Sequence, residues 1–96
     1  MTLAGFRASL ALADPPRELA APLAGLWWDA KGDWARAHGT VDDLETLEGM
    51  AVHAYLHRKE GDMSNAAGWY NRAGRVPPTS SLEAEWESLA HELLDA

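Results

Sequence analysis

Residues 50–74 read MAVHAYLHRKEGDMSNAAGWYNRAG, and this stretch decides the fold. Nothing from Met50 to Glu60 breaks a helix, and Ala, Leu, Met, Arg, Lys and Glu all favour one. Apolar residues (Met50, Ala51, Val52, Ala54, Leu56) fall on most sides of it, as expected of a central helix surrounded by others. Gly61-Asp62 stops it. Gly61 suits the left-handed position that ends a helix, and the Asp62 carboxylate can accept from the free N–H groups that begin the next. The following helix carries Met63, Ala66, Tyr70 and Ala73 on one stripe, and Gly74 ends it. Helices joined by so short a turn pack antiparallel. The small side chains of Ala54 and Ala66 let the backbones approach, and the Tyr70 ring fills the gap beside them.

The same punctuation occurs upstream at Gly32-Asp33. Asp14-Pro15-Pro16 reads as a helix start, with Asp14 as cap and Pro15 in the first turn, and the helix should run to about Lys31. Pro22 lies inside that span and predicts a kink or a late start. After Gly32, a helix runs from Trp34 to about Asp43, with a boundary near Leu44–Thr46 where Gly39 and Gly49 lower helix propensity. Hairpin 1 therefore covers about 16–43 and hairpin 2 about 46–74. Leu3, Phe6, Leu10 and Ala13 have helical spacing and mark a short lead-in helix. Val76-Pro77-Pro78-Thr79 is a linker. Ser80 and Glu83 have capping-box spacing and open a last helix, about 81–95. Leu82, Trp86, Leu89 and Leu93 line one face of it and acidic residues line the rest, as a terminal capping helix requires. The expected architecture is a single all-α domain over residues 1–96.

Composition agrees. Val and Ile are nearly absent and no window alternates apolar with polar, which argues against sheet. Hydrophobic residues make up 47% of the chain, many of them Ala, and five Trp against one Phe and two Tyr must supply the bulk of the core. Eight basic and 15 acidic residues give a net charge of -7. So acidic a chain lacks the basic face that nucleic acid or an anionic membrane needs. There is no cysteine, which removes disulfides and thiolate chemistry. No apolar run is long enough to span a bilayer, and residues 1–13 lack the pattern of a signal peptide. A cytoplasmic location is the default expectation.

Ala54, Gly61, Ala66, Tyr70, Ala73 and Pro78 follow one another at spacings that resemble the tetratricopeptide repeat, a helical hairpin of about 34 residues. In the first unit Gly25, Trp28, Gly32, Trp34 and Ala37 stand at the matching places. Val41, Leu44 and Gly49 depart from the pattern, where an aromatic, an Ala and a Pro are usual. The two Gly-Asp steps are 29 residues apart, short of the standard period. Residues 52–62 and 69–74 also resemble a family of small bacterial proteins of unknown function. The repeat resemblance implies that the first helix of each unit lines a concave groove. That face would hold Glu48, Ala51, Tyr55, Arg58 and Lys59 in unit two, and Leu19, Pro22, Leu26 and Asp29 in unit one.

Three sets of residues could carry a function. Tyr55, Arg58 and Lys59, with Asp29 across the groove, form a basic end beside an aromatic that could receive a carboxylate of a peptide or protein partner; a solvated helix end satisfied by its own dipole is the plainer account. His53 and His57 are four apart, share a helix face and could grip a metal, with His38, Glu60 or Asp62 as third ligand. The preferred account places both imidazoles where the two helices of the hairpin pack, neutral and hydrogen-bonded to a Tyr hydroxyl or a backbone carbonyl. Trp27-Trp28 and Trp69 are the third set. Trp28 should pack, Trp27 should lie toward the side against the N-terminal segment, and Trp69 should meet the last helix near Trp86. No nucleophile motif, phosphate loop or paired metal motif is present, so neither catalysis nor a cofactor is expected. The readings are, in order, a protein- or peptide-binding module, a metal- or small-ligand-binding protein using His53, His57 and His38, and a structural protein self-associating as a homodimer through Trp27 or Trp69.

Overall fold

The computed structural model describes residues 1–95, and among these every regular element is a helix: α1 (Leu3–Ser9), α2 (Ala21–Ala30), α3 (Trp34–Val41), α4 (Leu47–Glu60), α5 (Met63–Arg72) and α6 (Leu82–Asp95). The chain is all-α, as the residue pattern indicates. None of these helices is long and apolar enough to cross a membrane.

Local chemistry sets most of the boundaries. The side chains of Thr2, Asp33, Thr46 and Asp62 each accept a hydrogen bond from a backbone N–H three residues on, so each caps the helix it precedes. Gly32, Gly61 and Gly74 have φ of 83°, 88° and 72°, the left-handed region open to glycine. At each of them the last turn closes by the same pair of backbone bonds. At the second these are Gly61 N–H to Arg58 O (3.1 Å) and Asp62 N–H to His57 O (3.0 Å).

Two starts differ from expectation. α2 begins at Ala21, so Asp14-Pro15-Pro16 lies in the irregular stretch before it and the late start prevails. A helix begun at residue 16 would carry Pro22 in its interior and lose a hydrogen bond; begun at Ala21 it places Pro22 in the first turn, where the missing N–H costs nothing. At α6 the cap is Ser81 rather than Ser80: its Oγ accepts from the Ala84 N–H at 3.1 Å.

α2 and α3 form one antiparallel hairpin and α4 and α5 the other; α3 packs on α4, α6 lies across both α2 and α4, and α1 leans on α6. The result measures 34 × 24 × 24 Å. α4 is the axis of the molecule: every residue from Gly49 to His57 is buried. The tryptophans depart in part from their expected places: Trp27 does lie against the N-terminal segment, but in the core rather than toward the side. Trp27 is the fully buried one, and its indole N–H donates to Ser9 Oγ of α1 at 3.1 Å. Trp28 is half-buried edge-on against it. Trp86 does not meet Trp69. It packs on Phe6 and donates its N–H to Leu26 O at 3.0 Å, which pins α6 onto α2. Trp27 is therefore not available for an interface. On α5, Ala66, Tyr70 and Ala73 are buried as expected, but Met63 is exposed.

Gly25 is where α2 packs closely against both α3 and α4. A Cβ there would lie 2.7 Å from Val41 Cγ1 and 3.4 Å from Val52 Cγ1, both on fully buried side chains. Gly39 and Gly68 are helical too, but a Cβ on either meets nothing within 4 Å. Gly25→Ala should therefore destabilise by about 1–2 kcal/mol, overpacking outweighing the gain in helix propensity. Gly39→Ala and Gly68→Ala should each stabilise by about 0.5–1 kcal/mol. Thermal melts followed by far-UV circular dichroism should give shifts of opposite sign, about 4–8 °C per kcal/mol at this size.

Candidate functional site

A helix surrounded on all sides must find partners within the chain for each polar side chain it carries. On α4 these fall on two faces.

The first face holds the residues expected to line a groove. Asp29 receives the Tyr55 hydroxyl at 2.7 Å and the Lys59 ammonium at 2.8 Å. One turn away, Glu85 of α6 receives the Arg58 guanidinium at 2.8 Å and the Tyr70 hydroxyl at 2.6 Å; a second Arg58 nitrogen donates to Ser80 O. Each buried carboxylate thus takes one tyrosine and one cation. The basic end beside an aromatic does receive carboxylates, but they belong to the same chain. Tyr55 is only 2% exposed, and α6 lies over the face that was read as open. Burial, reinforced by the hydrogen bond to Asp29, pushes the Tyr55 hydroxyl above its usual range, and burial with the bond to Glu85 does the same for Tyr70. Asp29, Tyr55 and Lys59 still border a concavity of about 360 Å³, together with Leu82 and Trp86. Arg58 does not border it.

The second face gathers three of the four histidines of the chain. His53 and His57 come from α4 and His38 from the last turn of α3. The ring centroids lie 4.8 Å (His38–His53), 5.1 Å (His38–His57) and 4.8 Å (His53–His57) apart. Each ring offers a nitrogen such that the three lie within 4.8 Å of one another. His38 Nε2 and His53 Nε2 are 3.1 Å apart, and His57 Nδ1 is 2.7 Å from the Glu60 carboxylate. His53 Nδ1 is buried with no hydrogen-bond partner among the described residues. His53 and His57 are 3% and 6% exposed, whereas His38 is half-buried at the rim.

Two indoles wall the cluster. Trp34 stacks on His38 at 4.9 Å and Trp69 on His53 at 3.9 Å. The Trp34 N–H donates to Leu56 O at 2.8 Å, and Arg72 lies over the Trp69 ring at 4.4 Å. Burial is the main cause that lowers the His53 pKa, to about 4; the neighbouring His57 and His38 add to it and Asp42 opposes. The His53 imidazole is therefore neutral at pH 7, the form that ligates metals.

The expected imidazole partners, a Tyr hydroxyl or a backbone carbonyl, are not the ones found: both Tyr hydroxyls are spent on carboxylates, and the histidines meet each other and Glu60. The sequence does not single out Glu85, it marks Tyr70 only as a packing ring, and it does not place Trp34 and Trp69 against the histidines. Trp34 and His38 are four apart on one helix, a spacing that points to the stack; nothing local pairs Glu85 with Arg58, 27 residues away.

No family model matches the chain, and no curated protein or solved structure does so either.

Two measurements check the first face. Glu85→Ala strands the 15%-exposed Arg58 side chain and the Tyr70 hydroxyl, and should cost about 3 kcal/mol in urea unfolding. Because both tyrosines hold their protons more tightly when folded than at their ordinary pKa of 10.0, the unfolded chain releases them first. Their contribution is complete below pH 10 and is lost as the pH rises beyond it. The melting temperature should fall above about pH 10, and less steeply in Tyr55→Phe/Tyr70→Phe.

Proposed function

We propose that this protein binds a divalent transition-metal ion of the zinc, nickel or copper class through His38, His53 and His57. One observation carries the reading: three imidazoles from two separate hairpins converge, with one nitrogen of each within 4.8 Å of the others. A tetrahedral zinc with bonds of about 2.05 Å sets its ligand nitrogens about 3.3 Å apart, close to the 3.1 Å between His38 Nε2 and His53 Nε2. A further feature supports it. Glu60 holds His57 Nδ1 at 2.7 Å, the carboxylate–imidazole pairing that orients ligand histidines, and this leaves His57 Nε2 for the ion. Imidazole donors suit zinc, nickel and copper rather than calcium or magnesium.

The reading as a peptide- or protein-binding module rests on the concavity beside Asp29, Tyr55 and Lys59. Of its charged lining, Lys59–Asp29 and Arg7–Glu87 pair within the chain, and Glu83 is left without an ion pair among the described residues, so it offers a partner little beyond that one carboxylate.

Calorimetric titration of the chelator-treated protein with Zn²⁺ should show one ion bound per chain at micromolar affinity or better. At free metal 100-fold above Kd the folded state should gain about 2.7 kcal/mol, reversed by a chelator. His38→Gln, at the half-exposed rim, should keep its circular dichroism spectrum and lose the binding. An unchanged affinity in His38→Gln, or no heat and no thermal shift in the parent protein, would falsify the proposal.

A further inference from the structure

We propose that the metal at this centre keeps one coordination position for an anion from solution, with Arg72 as the charge that attracts it. The inference rests on the three-histidine reading above and concerns what completes its shell.

Ligand number comes first. Zinc and its analogues take four donors in sites of this kind, and three protein ligands leave the fourth to water or an exogenous donor. Among the described residues no fourth His or carboxylate joins His38, His53 and His57 within the same 4.8 Å, and the chain has no cysteine. The other group of potential ligands, His57 with Glu60 and Asp62, uses the side of His57 whose Nδ1 Glu60 already holds.

Access comes second. His53 and His57 lie under the surface and His38 stands at the rim, so the cluster opens on the side of α3. Trp34 and Trp69 stack on His38 and His53 and flank that rim.

Charge comes third. Arg72 ends α5 with its guanidinium 4.4 Å over the Trp69 ring, and it forms no ion pair among the described residues. The opposing charge is Asp42, exposed at the end of α3. Three neutral imidazoles leave the ion with its full double positive charge. An anionic donor, such as a carboxylate or a small inorganic anion, is therefore favoured over a neutral one at the remaining position.

The test uses Co²⁺ as a coloured stand-in for Zn²⁺ and sodium azide as the anion. The full chain loaded with Co²⁺ should show the visible bands of a four-coordinate ion, and azide should shift them saturably. Arg72→Gln should weaken the azide response by about threefold, as removal of one exposed charge at such a range predicts. Visible bands that ignore azide overturn the inference while leaving the metal reading intact. In that case Asp42→Asn altering the bands identifies Asp42 as the fourth donor, and a Co²⁺-dependent dimer on size-exclusion chromatography identifies a second copy as its source. Failure to take up Co²⁺, Ni²⁺ or Zn²⁺ overturns both readings together.

Discussion

The rest of the structure depends on the burial of α4. A helix that is apolar all round can be enclosed at no polar cost. α4 is not such a helix, because His53, Tyr55, His57 and Arg58 lie on the stretch its neighbours cover. Each has to meet a partner that arrives from another element, or from the end of the helix itself, at the moment of packing. Asp29 comes from α2, Glu85 from α6, His38 from α3, and Glu60 from the last turn of α4. The burial of the central helix and the position of the outer ones are thus a single condition. If α6 does not dock, Arg58 and Tyr70 lose Glu85; if hairpin 1 does not dock, Tyr55 loses Asp29 and His53 loses His38.

This condition explains which parts of the architecture were legible in the sequence. Helix ends are set by what lies within a turn or two. Gly32-Asp33, Gly61-Asp62 and Thr46 act on their nearest backbone groups, and their effect can be read without knowing the fold. The all-α class and the paired helices follow from them. Tertiary choices are another matter. Trp27 and Trp28 are adjacent and nearly equivalent by composition, and only the arrival of Ser9 on α1 decides that Trp27 is the buried one. The groove residues show the same limit. Tyr55, Arg58 and Lys59 carry donors suited to a carboxylate, yet no local pattern shows that the carboxylates are Asp29 and Glu85. The start of α2 lies between these cases: Pro22 marks the conflict, and only the structure resolves it in favour of a late start.

The two polar faces of α4 also differ in kind. On the first, opposite charges meet: each carboxylate has a cation and a hydroxyl, and the groups are saturated. Such a cluster specifies geometry and has little capacity left for a ligand. On the second, like meets like. Three imidazoles face one another, and a shared N···N contact can hold only one proton between His38 and His53. A nitrogen of His53 is left over. Stacking on Trp34 and Trp69 accounts for the rings as packing units, but phenylalanine or leucine would pack as well without leaving that nitrogen unsatisfied.

That contrast is the physical case for regarding the histidine face, rather than the groove, as the working one. Burial, more than its neighbours, keeps His53 from accepting a proton at neutral pH, so its ring meets the other two as a neutral imidazole. A metal ion suits such neutral rings, provided that it bonds several imidazoles at once and tolerates an apolar wall. Such an ion would also join α3 to α4 by bonds rather than by contact alone. The two hairpins meet there over a smaller interface than either makes internally. The site that is least satisfied as a protein interior is therefore also the joint at which an added ligand would stiffen the fold most.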